Sequence, residues 1–397
     1  MRFLDVLVSL AAVGSATATP LRSRGLHYRQ ATTNPRDGKK LFADPAWSEK
    51  LNATHDSFVS QGDTTNAAKV RSIQDIGSFV WVSNIASLPN IDAAIESARA
   101  AQKATGTPQM VGLVLYNLPD RDCSAGESAG ELVSSKGGLQ RYKTEFLSPW
   151  AEKLGAASDL TFAVVLEPDS LANIVTGLSN KKCAAAQDVY KQGIAAAIKN
   201  LQFKHVHLYI DAANGGWLGD ANQAPGRRAP SPLIAESARL TPNSITAAKV
   251  FGEVVRMAGN SRMIRGFSTN ISNFNPFKAT VKDSFAESSD SFDESHYTSS
   301  LAPYLEAQGL PTRFIVDQGR VAQPGARAKW GDWCNVTPAG FGMRPGTKVD
   351  NPLIDSIAWI KPGGESDGQC GMAGAPIAGA WFDKYAQMLV KNADASV

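Results

Sequence analysis

Histidine is scarce in this chain, with 5 in 397 residues. Gly126-Glu127-Ser128-Ala129-Gly130 and Gly364-Glu365-Ser366-Asp367-Gly368 match Gly-x-Ser-x-Gly by letter, but neither stands between a strand-like run and a helical pattern as a nucleophile elbow does, so serine-hydrolase chemistry is not expected. Cysteine is almost as sparse, at 4. There is no Cys-x-x-Cys pair and no Cys/His spacing of the kind that holds zinc, so a zinc site is not expected. An excess of one charge is missing too: 40 Lys and Arg against 37 Asp and Glu leave a formal +3. Without a basic cluster, neither nucleic acid nor an anionic membrane surface is an expected partner. No apolar run is long enough to span a bilayer. No linker rich in Pro, Ser or Thr and no internal repeat divides the chain. No glycine-rich loop ends in Lys-Ser or Lys-Thr, so nothing is equipped to cradle a phosphate, and no cofactor is expected.

What remains is a sequence of globular character, 43% hydrophobic and long enough for one large α/β barrel or two ordinary domains. Its first residues read as a secretory signal peptide over 1–18. Arg2 supplies the positive end, Phe3 to Val13 is mostly apolar, and Ala16-Thr17-Ala18 is a small-x-small cleavage site. Residues 19–30 carry Arg22, Arg24, His27 and Arg29 and no apolar pattern, and are expected to be a pro-segment or disordered lead. The catalytic domain is expected over 31–397, in a secreted, extracellular protein. In that setting Cys123, Cys183, Cys334 and Cys370 should form two disulfides, with three pairings open. Asn52, Asn270 and Asn335 begin Asn-x-Ser/Thr triplets compatible with glycosylation.

Seven strand-like runs, around 78–83, 110–116, 161–166, 205–210, 264–269, 313–317 and 356–361, alternate with helical patterns. Ile91–Ala104, Ala184–Asn200 and Thr246–Ala258 are alanine-rich with apolar spacings of three and four. Such alternation predicts a single α/β domain with a parallel sheet. The stretch 219–234 reads as a polar surface loop.

Each run delivers polar or aromatic groups at the same end. In chain order these are Trp81 and Ser83; Asp120 and Asp122; Glu167 and Asp169; Asp211 to Trp217; Asn270 to Asn273; Asp317 and Gln318; and Lys361 to Asp367. Carboxylates at the C-terminal ends of buried parallel strands are what a barrel active site looks like. Asp169 is either a general acid or the N-cap of a helix from Leu171 onward. Asp122 beside Arg121 reads alone as a surface turn, but as a raised-pKa partner if it faces Asp169. Lys361, Glu365 and Asp367 lie in a glycine-rich loop. Trp81, Trp217, Trp330 and Trp333 fall at strand ends or in polar loops, where flat aromatic faces suit sugar rings. Trp359 and Trp381 are expected in the core.

Four segments in order carry a specific resemblance: Tyr116-Asn117-Leu118-Pro119-Asp120-Arg121-Asp122-Cys123, Glu167-Pro168-Asp169-Ser170-Leu171-Ala172-Asn173, Trp330-Gly331-Asp332-Trp333-Cys334-Asn335 and Lys361-Pro362-Gly363-Gly364-Glu365. Over about residues 35–390 the chain resembles the family 6 glycoside hydrolases, the inverting cellulases. The resemblance implies a distorted seven-stranded β/α barrel, in agreement with the count of runs, and no metal or cofactor. It implies Asp169 as general acid and Asp122 as the second acid that keeps it protonated. Asp367 is the base candidate, and Tyr116 and Ser128 stand near the cleaved bond. Trp81, Ser83, Asp211, Asn214, Trp217, Asn273, Trp333, Lys361 and Glu365 are the implied sugar-binding positions. The implied disulfides are Cys123–Cys183 and Cys334–Cys370.

Three departures refine this expectation. Asn214 stands where many tunnel-forming members have His, Asp220 stands where they have a further Trp, and only two residues separate Asp367 from Cys370. The tunnel type has a long loop at that last point. The segment Glu365-Ser366-Asp367-Gly368-Gln369-Cys370 resembles the endoglucanase type instead, and no carbohydrate-binding module is expected. The chain therefore reads as a monomeric, secreted, open-cleft β-1,4-glucanase acting on cellulose or soluble β-1,4-glucan chains. A cellobiohydrolase is the alternative, and a non-catalytic glucan-binding protein is the rival from outside the enzymes.

Overall fold

The seven runs form seven parallel strands, and an eighth of two residues precedes them. These are β1 (Lys40–Leu41), β2 (Phe79–Val82), β3 (Gln109–Leu115), β4 (Thr161–Leu166), β5 (Val206–Asp211), β6 (Ile264–Thr269), β7 (Phe314–Asp317) and β8 (Ile354–Ala358). The structure is a computed structural model and describes residues 33–219, 242–259 and 264–397. The expected signal peptide, the lead over 19–30, Asp220 and nearly all of the 219–234 loop lie outside these residues.

Strands β3 to β8 pair in sequence order, all parallel. One edge of β3 holds β4, and its other edge is shared end to end by β1, against Gln109 and Met110, and β2, against Gly112 to Leu115. Gly112 is required there, because a Cβ at that position would lie 2.6 Å from the Phe79 ring. Side chains alternate between two buried faces. Val111, Leu113 and Leu115 face the helices, whereas Met110, Val114 and Tyr116 face the barrel interior with Val165, Tyr209 and Ile315. That double burial is why the runs read as continuously apolar.

The helices lie between the strands as their periodicity predicts. They include Pro89–Thr105, Lys181–Asn200 and Pro242–Met257 at the three expected places. Helices Pro45–Ser60 and Asp383–Lys391 bring Trp47, Leu51, Phe58, Tyr385 and Leu389 into a second apolar cluster with Trp359, which is fully buried, and the half-buried Trp381. The bottom of the barrel is closed by polar groups. Arg265 donates to both oxygens of Asp355 at 2.6–2.7 Å, and Tyr209 OH donates to the same carboxylate at 3.0 Å.

The barrel does not close. Among the described residues, no ladder joins β8 to β2. The seam is crossed by the Phe79 N–H to Trp359 O at 3.1 Å and by the Trp81 indole Nε1 to Ile360 O at 2.8 Å. Two disulfides, Cys123–Cys183 and Cys334–Cys370, fasten the loops above the strand ends, which is the implied pairing.

Two of the three glycosylation triplets are closed off by folding. Asn270 is fully buried, with Nδ2 donating to Asn275 O and Asp317 O. Asn335 is 1% exposed, with Nδ2 donating to Gly368 O and Cys370 O. Both amides serve as internal braces, so Asn52, half-buried on its helix, is the one triplet with an accessible acceptor.

Candidate active site

The loops leaving four successive strands turn through left-handed backbone. Asp120 and Asp122 after β3, Glu167 and Asp169 after β4, Ala213 after β5, and Asn270 and Ser272 after β6 all have φ between 48° and 67°. Non-glycine residues rarely adopt this conformation, and where several cluster the fold is holding side chains in fixed directions. Those directions converge on one cleft. Trp81, Tyr116, Asp122, Ser128, Asp169, Asn214, Trp217, Asn273, Trp333, Lys361 and Asp367 line its main hollow. An adjoining hollow shares Trp81, Tyr116, Ser128 and Lys361 and adds Ser83 and Glu365. Of the expected site residues, Asp211 does not line either hollow.

Asp211 lies beneath the floor, 2% exposed, where its Oδ2 accepts the backbone N–H of Asp169 at 2.9 Å and of Ala213 at 3.2 Å. Burial pushes its carboxyl up to about 7. Asp169 occupies the N-cap position of helix Ser170–Thr176 but makes no side-chain cap bond, so its carboxyl is not engaged by the helix. Its carboxyl is held well above the ordinary range, first by burial and then by the negative charges of Asp211, Asp122 and Asp367. Among the described cleft carboxyls, it is the one that burial and three acids together push well above the ordinary range. Glu167, the other acid of that segment, points away. It is 1% exposed, accepts the N–H groups of Asn117 and Leu118 at 3.1–3.2 Å, and braces the start of the loop after β3.

Asp122 Oδ2 accepts the Ser128 N–H at 2.7 Å, which ties the loop that bears Ser128 back to the acid. Arg121 completes this tie. It donates to Ser128 O at 2.7 Å and Ser83 O at 2.5 Å, donates also to Tyr116 O, and lies over the Tyr116 ring at 4.4 Å. Asp367, 5% exposed, is gripped through Oδ2 by buried Arg320 at 2.7 Å and by the Asn335 N–H at 2.9 Å, while Oδ1 has no partner among the described residues. Lys361 donates to Ser366 O at 3.2 Å, lies over the Trp81 ring at 5.6 Å, and has its pKa lowered by burial.

The aromatic walls are fixed by polar handles. Trp217 donates through Nε1 to Thr176 Oγ1 at 2.7 Å, and Trp81 meets Tyr116 edge-on at 5.4 Å. Trp330 also lines the main hollow. It packs so closely on Gly216 that a Cβ there would come within 2.0 Å of the indole. Behind the polar wall lies a network with no signal in the sequence. Glu294 is fully buried and accepts from Gly215 N–H at 3.0 Å and Asn275 Nδ2 at 2.6 Å. Asn275 also reaches Asn214 and accepts from Arg327, which donates to Asn273 at 3.1 Å. Thus Asn214 and Asn273, on different strand ends, are joined through Asn275 and Arg327 to one network anchored on buried Glu294.

Sequence reasoning also missed Asn173, which lines the main hollow, and Arg320; only the first stood within a recognised segment. Glu127 was missed as well. Its Oε2 accepts the Gln369 N–H at 3.2 Å, so the loop after β3 touches the short loop after β8. Among the described residues, the cleft expected to be open thus carries one slender bridge. Among the described residues, no group of three or more His, Cys, Asp or Glu is arranged to hold a metal ion.

Comparison with known proteins bears on this geometry. The sequence description "Glycosyl hydrolases family 6" matches residues 36–393. The chain is 52% identical to the 1,4-β-D-glucan cellobiohydrolase CEL6B of Podospora anserina, over 99% of this chain and 90% of that protein. It is also 52% identical to Endoglucanase-6B of Humicola insolens, over 91% of this chain and 97% of that protein. Among solved structures, endoglucanase CEL6B from Humicola insolens superposes with a TM-score of 0.84 at 50% identity, covering 92% of this chain and all (100%) of the other. Cellobiohydrolase II (CEL6A) from Humicola insolens, in complex with glucose and cellotetraose, superposes with a TM-score of 0.80 at 32% identity, covering 91% and 99%. With an open parallel barrel, a carboxylic acid crowded by three others at the strand ends, and a match along nearly its whole described length, this chain belongs to the glycosyl hydrolases of family 6.

Proposed function

We propose that the chain is a secreted β-1,4-glucanase that cuts internal bonds of cellulose or soluble β-1,4-glucan with inversion, working as a monomer. The observation that carries this reading is Asp169, its carboxyl held well above the ordinary range by burial and by Asp211, Asp122 and Asp367, in a cleft walled by Trp81, Trp217 and Trp333. Asp169 gives its proton to the glycosidic oxygen as the bond to the anomeric carbon breaks. Water attacks that carbon from the opposite face, the arrangement of an inverting enzyme, which sets its two carboxyl groups roughly 6.5–9.5 Å apart to admit the water. Asp122 keeps Asp169 protonated through like-charge repulsion. Asp367, with Oδ2 gripped by Arg320 and no partner for Oδ1 among the described residues, is the candidate base that takes the proton the attacking water gives up. Tyr116 and Ser128 adjoin the cleaved bond. Trp81, Ser83, Asn214, Trp217, Asn273, Trp333, Lys361 and Glu365 hold the sugars, and Asp211 acts beneath them through Asp169. Two disulfides fit an oxidising, extracellular setting.

A cellobiohydrolase reading is favoured by one observation, the Glu127–Gln369 bridge. Carboxymethyl cellulose separates the readings. A steep viscosity loss per reducing end released is expected for internal cutting. Slow viscosity loss, with cellobiose from unsubstituted cellulose, would favour an enclosed chain. No reducing ends at all would leave a glucan-binding protein.

A further inference from the structure

The limb of the cleft that contains Ser83 and Glu365 does not end at those residues. It continues outward along the unclosed seam between β2 and β8, past Asp44 and Lys50 on one side, Asn90 on helix Pro89–Thr105, and Ile377 at the lip. We infer that this outer limb holds one more glucosyl unit than the sugar positions named above provide for, an inference that rests on the glucanase reading. A β-1,4-linked glucose needs hydrogen-bonding groups along its edges and an apolar surface against its C–H face. The limb supplies both. Asn90 and Lys50 are exposed at its rim, and Ile377 is 65% exposed, one of the few large apolar side chains left to solvent. The floor between them is held firm. Lys50 Nζ grips Glu365 at 2.7 Å, and the Trp47 indole donates to Gly363 O at 2.9 Å, so the limb keeps its shape. Its origin is architectural: strands joined at the seam by so few hydrogen bonds leave a trough through which a chain can run on. A cut that leaves three sugars in this limb should therefore compete with one that leaves two, as internal cutting requires.

Cellopentaose hydrolysed in 18O-labelled water tests this. The water oxygen bonds to the anomeric carbon, and the leaving oxygen takes the proton. The heavy label therefore marks the newly made reducing end and tells trisaccharide-plus-disaccharide cutting from the reverse. Asn90→Ala combined with Ile377→Ser removes one edge contact and one face contact, both from exposed positions that leave Glu365 untouched. We expect the ratio of the two cutting modes to shift by at least roughly threefold, at an unchanged melting temperature, since a lost hydrogen bond alone is worth that much. A ratio equal to that of the unaltered protein would overturn the extra position while leaving the glucanase reading intact. Absence of any cleavage by the unaltered protein would overturn the glucanase reading, and the extra position with it.

Discussion

At the scale of the residue, the chemistry depends on one proton. Asp169 can lose its proton only against burial and three nearby acids, which is what the proposed function asks of its acid. Asp169→Ala should lower kcat on cellulose chains by roughly 10³, within the range expected of a general acid, with the fold retained. An aryl glycoside whose leaving group needs no proton should lose much less. Equal loss on both substrates would mean that the side chain has another role. Asp211 offers a finer test, because it acts on Asp169 without lining the cleft. Asp211→Asn keeps an oxygen for the Asp169 and Ala213 N–H groups and removes a negative charge that raises the Asp169 pKa. Under the proposed mechanism, activity is lost as Asp169 deprotonates with rising pH. The alkaline limb of kcat/KM should therefore move to lower pH in the variant. A limb that stays in place would show that the charge of Asp211 does not reach the acid.

At the scale of the element, the strands were plain in the sequence because both faces of each are buried, which leaves runs such as Met110–Leu115 and Phe162–Leu166 without a polar break. Strand β1 was not, since two residues carry no period. The ends of the strands were equally plain as places where acids and tryptophans collect. Sequence could not give the direction in which each side chain turns. Glu167, Asp169 and Asp211 read alike as strand-end acids, yet left-handed turns at Glu167 and Asp169 send one into the loop brace and the other into the cleft, while Asp211 stays below. The Asn214–Asn275–Glu294–Arg327 network was invisible because it joins residues far apart in sequence through amides and charges that read singly as surface. Loops carry as much of the site as strands do. Cys123 adjoins Asp122, and its bond to Cys183 closes a separation of 60 residues. Cys123→Ser with Cys183→Ser should cost roughly 2–4 kcal/mol, seen as a melting point lower by roughly 5–10 °C. It should also raise KM, because the loop bearing Ser128 and Glu127 is released. Unchanged KM at reduced stability would show that Arg121 and Asp122 hold that loop unaided.

At the scale of the whole molecule, the buried acids set how stability follows pH. Burial raises Glu167, Asp211 and Glu294 each to about 7, from ordinary values of 4.5, 3.8 and 4.5. Between those limits the folded chain keeps protons that the unfolded chain has released. The stabilising contribution is therefore complete below about pH 4 and is lost as pH rises through 7. His207 opposes this only in acid. Burial lowers it to about 4 from 6.5, so its penalty grows as pH falls below 6.5 and is absent above. From pH 6 to pH 8 the carboxylates dominate, and the melting temperature should fall by roughly 5 °C or more. Glu294→Gln separates one contribution from the rest. The amide oxygen can still accept from Gly215 and Asn275, and the group no longer ionises beneath Asn214. Calorimetry at pH 6, 7 and 8 should give a shallower decline in this variant than in the unaltered chain. An identical decline would mean that Glu294 stays charged in the fold across that range, and that Arg327, which lies near it, compensates its burial in full.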